Sequence, residues 1–217
     1  QRRGRIHQKN VHRVISGAVQ PGSPPAIYKK KNLATLKSDS AVTILLDCSG
    51  SMRGSKFAIG AACCVALSET LQGLSVQHEV LGFTETSGLV TYILKDYGFP
   101  MTKEKMLNIM SSDAIRTSNN ADGESVMYAA ERLLTRKESR KLMVVLSDGH
   151  PAGRFIGDGR AYLAKICKMI ETETPIDLVG IGIQTEAVRS FYKHHVVVNN
   201  PDQLDAVLFG VLKDFLI

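Results

Sequence analysis

The residues best suited to chemistry lie together at 41–52, in the string AVTILLDCSGSM. An apolar run stops there on Asp47, and Ser49 and Ser51 follow at alternate positions around Gly50. One carboxylate and two hydroxyls on a tight glycine-bearing turn are all hard oxygen donors. Such a set suits a small divalent cation, Mg²⁺ first, with Mn²⁺ or Ca²⁺ as substitutes. Ser and Asp are also favoured helix caps, but three donors at i, i+2 and i+4 after a buried run favour the metal. A second apolar run, LMVVLS at 142–147, ends in Asp148-Gly149. Between the two in sequence stands NNADGE at 119–124, a polar loop that brings Asp122 to the start of a helix. Mg²⁺ takes about six oxygens and commonly retains waters. Asp47, Ser49, Ser51, Asp122 and Asp148 therefore form a candidate metal set with room for water and one external ligand. Asp148 fits direct coordination or a water bridge. Asp122 fits a ligand or an acid stabilised by the helix dipole.

These donors work together only if separate segments deliver them to one place. The runs at 42–47, 142–147 and 176–183 are predominantly apolar, as strands buried in a parallel sheet are. Strands at 76–84 and 89–96 flank a Ser-Gly turn, and 196–198 adds a short one. Helical patterns cover 55–74, 102–110 with Thr102 as N-cap, 123–135, 158–172, a short piece around 186–192, and 201–215. The helix at 123–135 places Ala129, Ala130, Leu133 and Leu134 on one face, and 111–122 reads as a polar loop. Strands alternating with helices predict an α/β fold, a doubly wound and mostly parallel sheet flanked by helices. Such sheets bind ligands beyond the carboxyl ends of their strands. If 42–47 and 142–147 are neighbours, Asp47 and Asp148 converge there.

At 217 residues and 44% hydrophobic, the chain can bury one sizeable core. Its net charge of +6 is uneven. Residues 1–40 hold nine Lys or Arg against Asp39, a net +8, which leaves −2 for the remainder. With the breaker QPGSPP at 20–25, this gives a basic N-terminal arm and linker at 1–40 and a globular domain at 41–217. Tyr28 is the arm's one aromatic, which argues against nucleic acid and for a solvated arm or a strap across an acidic partner. No apolar run reaches the roughly 18 residues of a membrane span, and no signal-peptide pattern opens the sequence. The first residue is Gln, so the chain is expected to be a piece of something longer. Cys48, Cys63, Cys64 and Cys167 lack zinc-ligand spacing. They are expected to be free buried thiols in a reducing, cytoplasmic setting.

Asp47-Cys-Ser49-Gly-Ser51 resembles the DxSxS signature of von Willebrand factor A domains, whose metal-ion-dependent adhesion site (MIDAS) adds a Thr and a later Asp. The later Asp matches Asp148, while the Thr position falls on Asp122, a departure. Five ordered strings, DCSGSMRG, EVLGFTET, NNADGES, LMVVLSDGHP and DLVGIGIQTEAVRSFY, resemble the A domain of the cobaltochelatase CobT subunit, where an acid before Gly-Glu is habitual. The resemblance runs from about Ala41 to Val198 and weakly into the arm. It implies a vWA, Rossmann-like fold. It also implies a subunit that joins a ring-forming AAA+ ATPase, the pair driving cobalt insertion into a corrin ring held by a third, large subunit in cobalamin biosynthesis. In that scheme the domain is a non-catalytic docking module, and its metal accepts a carboxylate from the ATPase. The magnesium chelatase of chlorophyll synthesis uses a similar arrangement.

Two other classes compete. A vWA module for adhesion or protein interaction, unrelated to chelation, would share the metal motif. The absent signal pattern, the lack of a disulfide framework and the unpaired Cys48 within the motif weigh against its extracellular form. A hydrolase built on Asp47 or Ser49 would need an activating base, and the sequence has neither a GxSxG elbow nor a phosphate-binding loop. Gly180-Ile-Gly182 lacks the third glycine of a dinucleotide loop. His150 reads as a surface residue, and adjacent His194 and His195 point in different directions, as residues at a loop-to-strand boundary.

Overall fold

The computed structural model describes residues 39–111, 115, 117–151, 157–200, 203, 210, 211 and 213. The basic arm expected at 1–40 and the last helix expected at 201–215 fall almost wholly outside the described residues. Within them the order is β1 (Ser40–Asp47), a 3₁₀ turn (Gly50–Met52), α1 (Ser55–Gly73), β2 (Gln77–Glu85) and β3 (Leu89–Lys95). There follow α2 (Lys103–Ser111), α3 (Asp122–Leu134), β4 (Arg140–Ser147), α4 (Gly159–Glu173), β5 (Ile176–Ile183), a 3₁₀ turn (Ala187–Ser190) and β6 (His194–Val198). The six strands lie in the order β3-β2-β1-β4-β5-β6. All neighbours are parallel except β2 and β3, which pair antiparallel. The expected doubly wound sheet is what forms.

Strand alternation divides β1 between two cores. Val42, Ile44 and Leu46 pack in the cluster that holds the buried residues of α1. Ala41 and Leu45 pack in the cluster of α3 and α4, and Asp47 continues that second face. α1 lies close on the strand because Gly60 has no Cβ: one placed there would stand 2.8 Å from Leu46 Cδ1. α3 is tied down by charge as well as by packing. Arg132 donates from two nitrogens to Glu79 Oε2, at 3.0 and 2.7 Å, while the Thr43 hydroxyl donates to Glu79 Oε1 at 3.0 Å. That fully buried carboxylate links β1, β2 and α3 and fixes the helix whose first residue is Asp122.

Helix ends follow their sequence signals. Thr102 Oγ1 accepts from the Lys105 amide at 3.3 Å, and Asp158 caps α4 by accepting from the amides of Arg160 and Ala161. Three details differ from expectation. Leu134 is 41% exposed, because the last residue of α3 turns off the buried face that Ala129, Ala130 and Leu133 share. The short helix near 186–192 is a single 3₁₀ turn. β6 begins at His194, where it first pairs with β5 as Val179↔His194, two residues before the strand expected at 196–198; His194 and His195 thus stand at the loop-to-strand boundary, as expected. Among the described residues no helix is long and apolar enough to cross a membrane.

Candidate metal centre

β1 and β4 are neighbours in register, Leu46 beside Leu146. They are also where the strand order reverses direction, the switch point at which open α/β sheets form clefts. One residue further, Asp47 stands abreast of Ser147 rather than of Asp148. The Ser147 hydroxyl donates to Asp47 Oδ2 at 2.9 Å and lies 3.4 Å from Asp122 Oδ1. Asp148 sits one position beyond. Gly149 turns the chain at φ +70°, and its amide donates to Ser147 Oγ at 3.0 Å.

The loop after β1 continues the sheet briefly. The Cys48 amide donates to the Phe83 carbonyl at 2.8 Å and the Gly50 amide to the Ser118 carbonyl at 2.5 Å. Ser118 and Asn119 form bridges to Ser49 and Glu85, so this stretch is threaded between the ends of β1 and β2. Asn120 then donates its side-chain amide to the His150 carbonyl at 2.9 Å, joining the approach to α3 to the turn after β4. Three chain segments are thereby knitted at one rim, each bringing one acid.

The acids are almost completely removed from water: Asp47 is 0% exposed, Asp122 1% and Asp148 0%. Burial pushes Asp47 up from 3.8 to about 6, against hydrogen bonds from the side chain and amide of Ser49 and from Ser147, with the Asp148 charge adding to the rise. Burial and the charges of Asp47 and Asp148 push Asp122 well above the ordinary carboxylate range. The three groups feel one another, as like charges in one cavity do. The amide of Ser49 donates to Asp47 Oδ1 at 2.7 Å, and the hydroxyls of Ser49 and Ser51 lie 3.0 Å apart. Asp122 Oδ2 and Asp148 Oδ1 are buried with no hydrogen-bond partner.

All five residues singled out in the sequence thus meet at one rim, Ser51 through its contact with Ser49. The capping alternative does not hold for α1, whose N-cap is Gly54. His150 is exposed, as expected. Two participants were not anticipated. Ser147 is the shared donor, and its signal lay in the register of 142–147 against 42–47. Lys56, on the first turn of α1, sets its Nζ 2.9 Å from Asp148 Oδ2; a lysine near a helix start carries no sequence signal for such a role. Among the described residues no group of three or more His, Cys, Asp and Glu side chains is arranged to hold a metal by itself. A cation here would rely on the serine hydroxyls and on water. The orphaned oxygens of Asp122 and Asp148, the paired hydroxyls and the hard-donor chemistry fit a small divalent ion on those terms.

A doubly wound sheet with one antiparallel edge and a DxSxS loop at its switch point defines a von Willebrand factor A domain. The chain belongs to the family described as the VWA domain of the cobalamin biosynthesis protein CobT, which matches residues 27–116 and 105–216. It is also similar to the uncharacterized protein YojO of Bacillus subtilis, 26% identical over 208 residues, 88% of this chain and 32% of that protein. The chain therefore spans about a third of the length of that curated relative.

Among solved structures it is similar to the pilus adhesin SpaC of Lactobacillus rhamnosus GG, with TM-score 0.62, 14% identity, and 82% of this chain and 31% of that one covered. It is similar to an aerotolerance-related membrane protein of Bacteroides fragilis, with TM-score 0.60, 14% identity, and 81% and 99% covered. A von Willebrand factor type A protein of Catenulispora acidiphila gives TM-score 0.56, 16% identity, and 80% and 42% covered. At these identities the likeness is one of fold.

Proposed function

We propose that the rim formed by Asp47, Ser49, Ser51, Asp122 and Asp148 holds one Mg²⁺ and that the loaded domain docks an acidic residue of a partner protein. Membership of the CobT family points to the partner: a ring-forming AAA+ ATPase of a cobaltochelatase-type complex, acting with a large corrin-binding subunit on cobalt insertion. The domain is then a cytoplasmic docking module with no bond-breaking role of its own.

The observation that carries this reading is the pair of orphaned carboxylate oxygens, Asp122 Oδ2 and Asp148 Oδ1, buried at the switch point beside two touching hydroxyls. Unpartnered buried acceptors are costly, and a cation would satisfy them. The ion would supply an open coordination position for an anionic ligand from outside. The chain's own residues do the rest. Ser147 and the Ser49 amide hold Asp47 in place, the Asn120–His150 contact keeps Asp122 and Asp148 on adjoining segments, and Ser51 lies at the exposed mouth.

The test is a pull-down of the purified AAA+ ATPase by this chain with Mg²⁺ or with EDTA, for the wild type and Asp47→Ala. Capture by the wild type in Mg²⁺ only, and by Asp47→Ala in neither condition with its circular dichroism unchanged, supports the reading. Equal capture in EDTA, or by the variant, ends it.

A further inference from the structure

Lys56 contributes an ammonium to a rim otherwise made of acids. Its Nζ lies 2.9 Å from Asp148 Oδ2, a contact between residues 92 apart in sequence. The lysine side chain is 29% exposed and the aspartate side chain 0%, so the ammonium reaches inward from the rim to a fully buried carboxylate. It engages only Oδ2; Oδ1 of the same group has no hydrogen-bond partner.

Charge counting gives this contact a purpose. The site carries three buried carboxylates, Asp47, Asp122 and Asp148. Ionised around a divalent cation, three carboxylates leave a net negative charge, and a negative site repels the acidic ligand that docking requires. With Lys56 the set has a formal charge of −2, equal and opposite to the ion. We propose that Lys56 is a fixed counter-charge: it weakens binding of the cation but keeps the occupied site neutral, so that a carboxylate from a partner can enter. This rests on the metal-docking reading above and specifies how the site is tuned for an anionic ligand. A lysine that merely orients Asp148 would act in the opposite sense on the metal, since its loss would loosen a ligand.

The experiment uses the whole chain with Mn²⁺ as a paramagnetic probe, read by water-proton relaxation, and sodium acetate as the carboxylate, compared with sodium chloride at equal ionic strength. Lys56→Met is expected to bind Mn²⁺ about tenfold more tightly, as removal of a like charge a few ångström away predicts. The same variant is expected to need about tenfold more acetate to displace the metal-bound water. Lys56→Arg keeps the charge and is expected to match the wild type in both. Lys56→Gln repeats the neutral case should the methionine variant fold poorly. Mn²⁺ binding by both neutral variants that is unchanged or weaker overturns the counter-charge. A wild-type chain that binds no Mn²⁺ stoichiometrically instead removes the metal-docking reading itself, a distinguishable failure.

Discussion

The hydroxyl of Ser147 donates to Asp47 Oδ2 at 2.9 Å while standing 3.4 Å from Asp122 Oδ1, so two buried acids share a single proton donor. Ser147→Ala would leave both short of a partner. The metal-free variant is expected to lose about 1–3 kcal/mol, the usual cost of stranding a buried acceptor, measured by urea unfolding in EDTA. A variant as stable as the wild type would show that water replaces the hydroxyl without cost.

Asp47 is held charged at neutral pH against its burial, which raises it to about 6. Asp47→Asn is therefore expected to stabilise the metal-free domain at pH 7.5, on the order of 1–3 kcal/mol, while abolishing any Mg²⁺-induced rise in melting temperature. The sign with pH follows. Below about 4 both folded and unfolded chains carry the proton; between about 4 and 6 the folded chain keeps it and the unfolded chain releases it. The contribution of Asp47 to metal-free stability should fall as pH rises through that window, and Asp47→Asn should remove that part of the slope while leaving those of Asp122 and His78.

His78 has the reverse dependence. It is 3% exposed, with Nδ1 3.0 Å from the Val76 carbonyl and Nε2 2.8 Å from the Ser68 hydroxyl. The carbonyl can only accept, so Nδ1 carries the proton and Nε2 accepts from Ser68. Burial lowers the group from 6.5 to about 4. Stability from the neutral ring is complete above 6.5 and is lost as pH falls through about 4, with an upper bound of roughly 3 kcal/mol. His78→Gln should remove that acid-side decline, as chemical unfolding at pH 6.5, 5 and 4 would reveal.

Gly149 is the pivot that sends Asp148 into the site. Its φ of +70° disfavours a side chain, and an added Cβ would stand 2.8 Å from Ala187 Cβ. Gly149→Ala is expected to cost at least about 1–2 kcal/mol from backbone strain alone. It should also weaken Mn²⁺ binding by shifting Asp148. Calorimetric melting and relaxation titration report the two effects separately.

The sheet was readable because its strands announce themselves. Ile176–Ile183 is an apolar run broken only by Asp177, and the structure reproduces its bounds. The DxSxS loop and the Asp148-Gly149 turn were readable because hard donors after a buried strand have few other uses. What escaped depends on register and reach. Nothing in VLSDG says that the serine rather than the aspartate faces Asp47; that follows from Leu46 pairing with Leu146. Lys56 lies in the first turn of α1, and its role appears only when Asp148, 92 residues away, folds against it. β6 starts two residues before its apolar run because an edge strand is half solvated, so its polar histidine start resembles a loop.

The four cysteines are all buried free thiols. Burial pushes Cys63 and Cys167 up to about 12 and raises Cys48 and Cys64 as well. Thiolates, not thiols, attack maleimides, so the native sulfurs should stay silent toward such reagents. A cysteine introduced at exposed Ser55 would then take a fluorophore selectively, giving an optical reporter at the mouth of the cleft in an otherwise natural background.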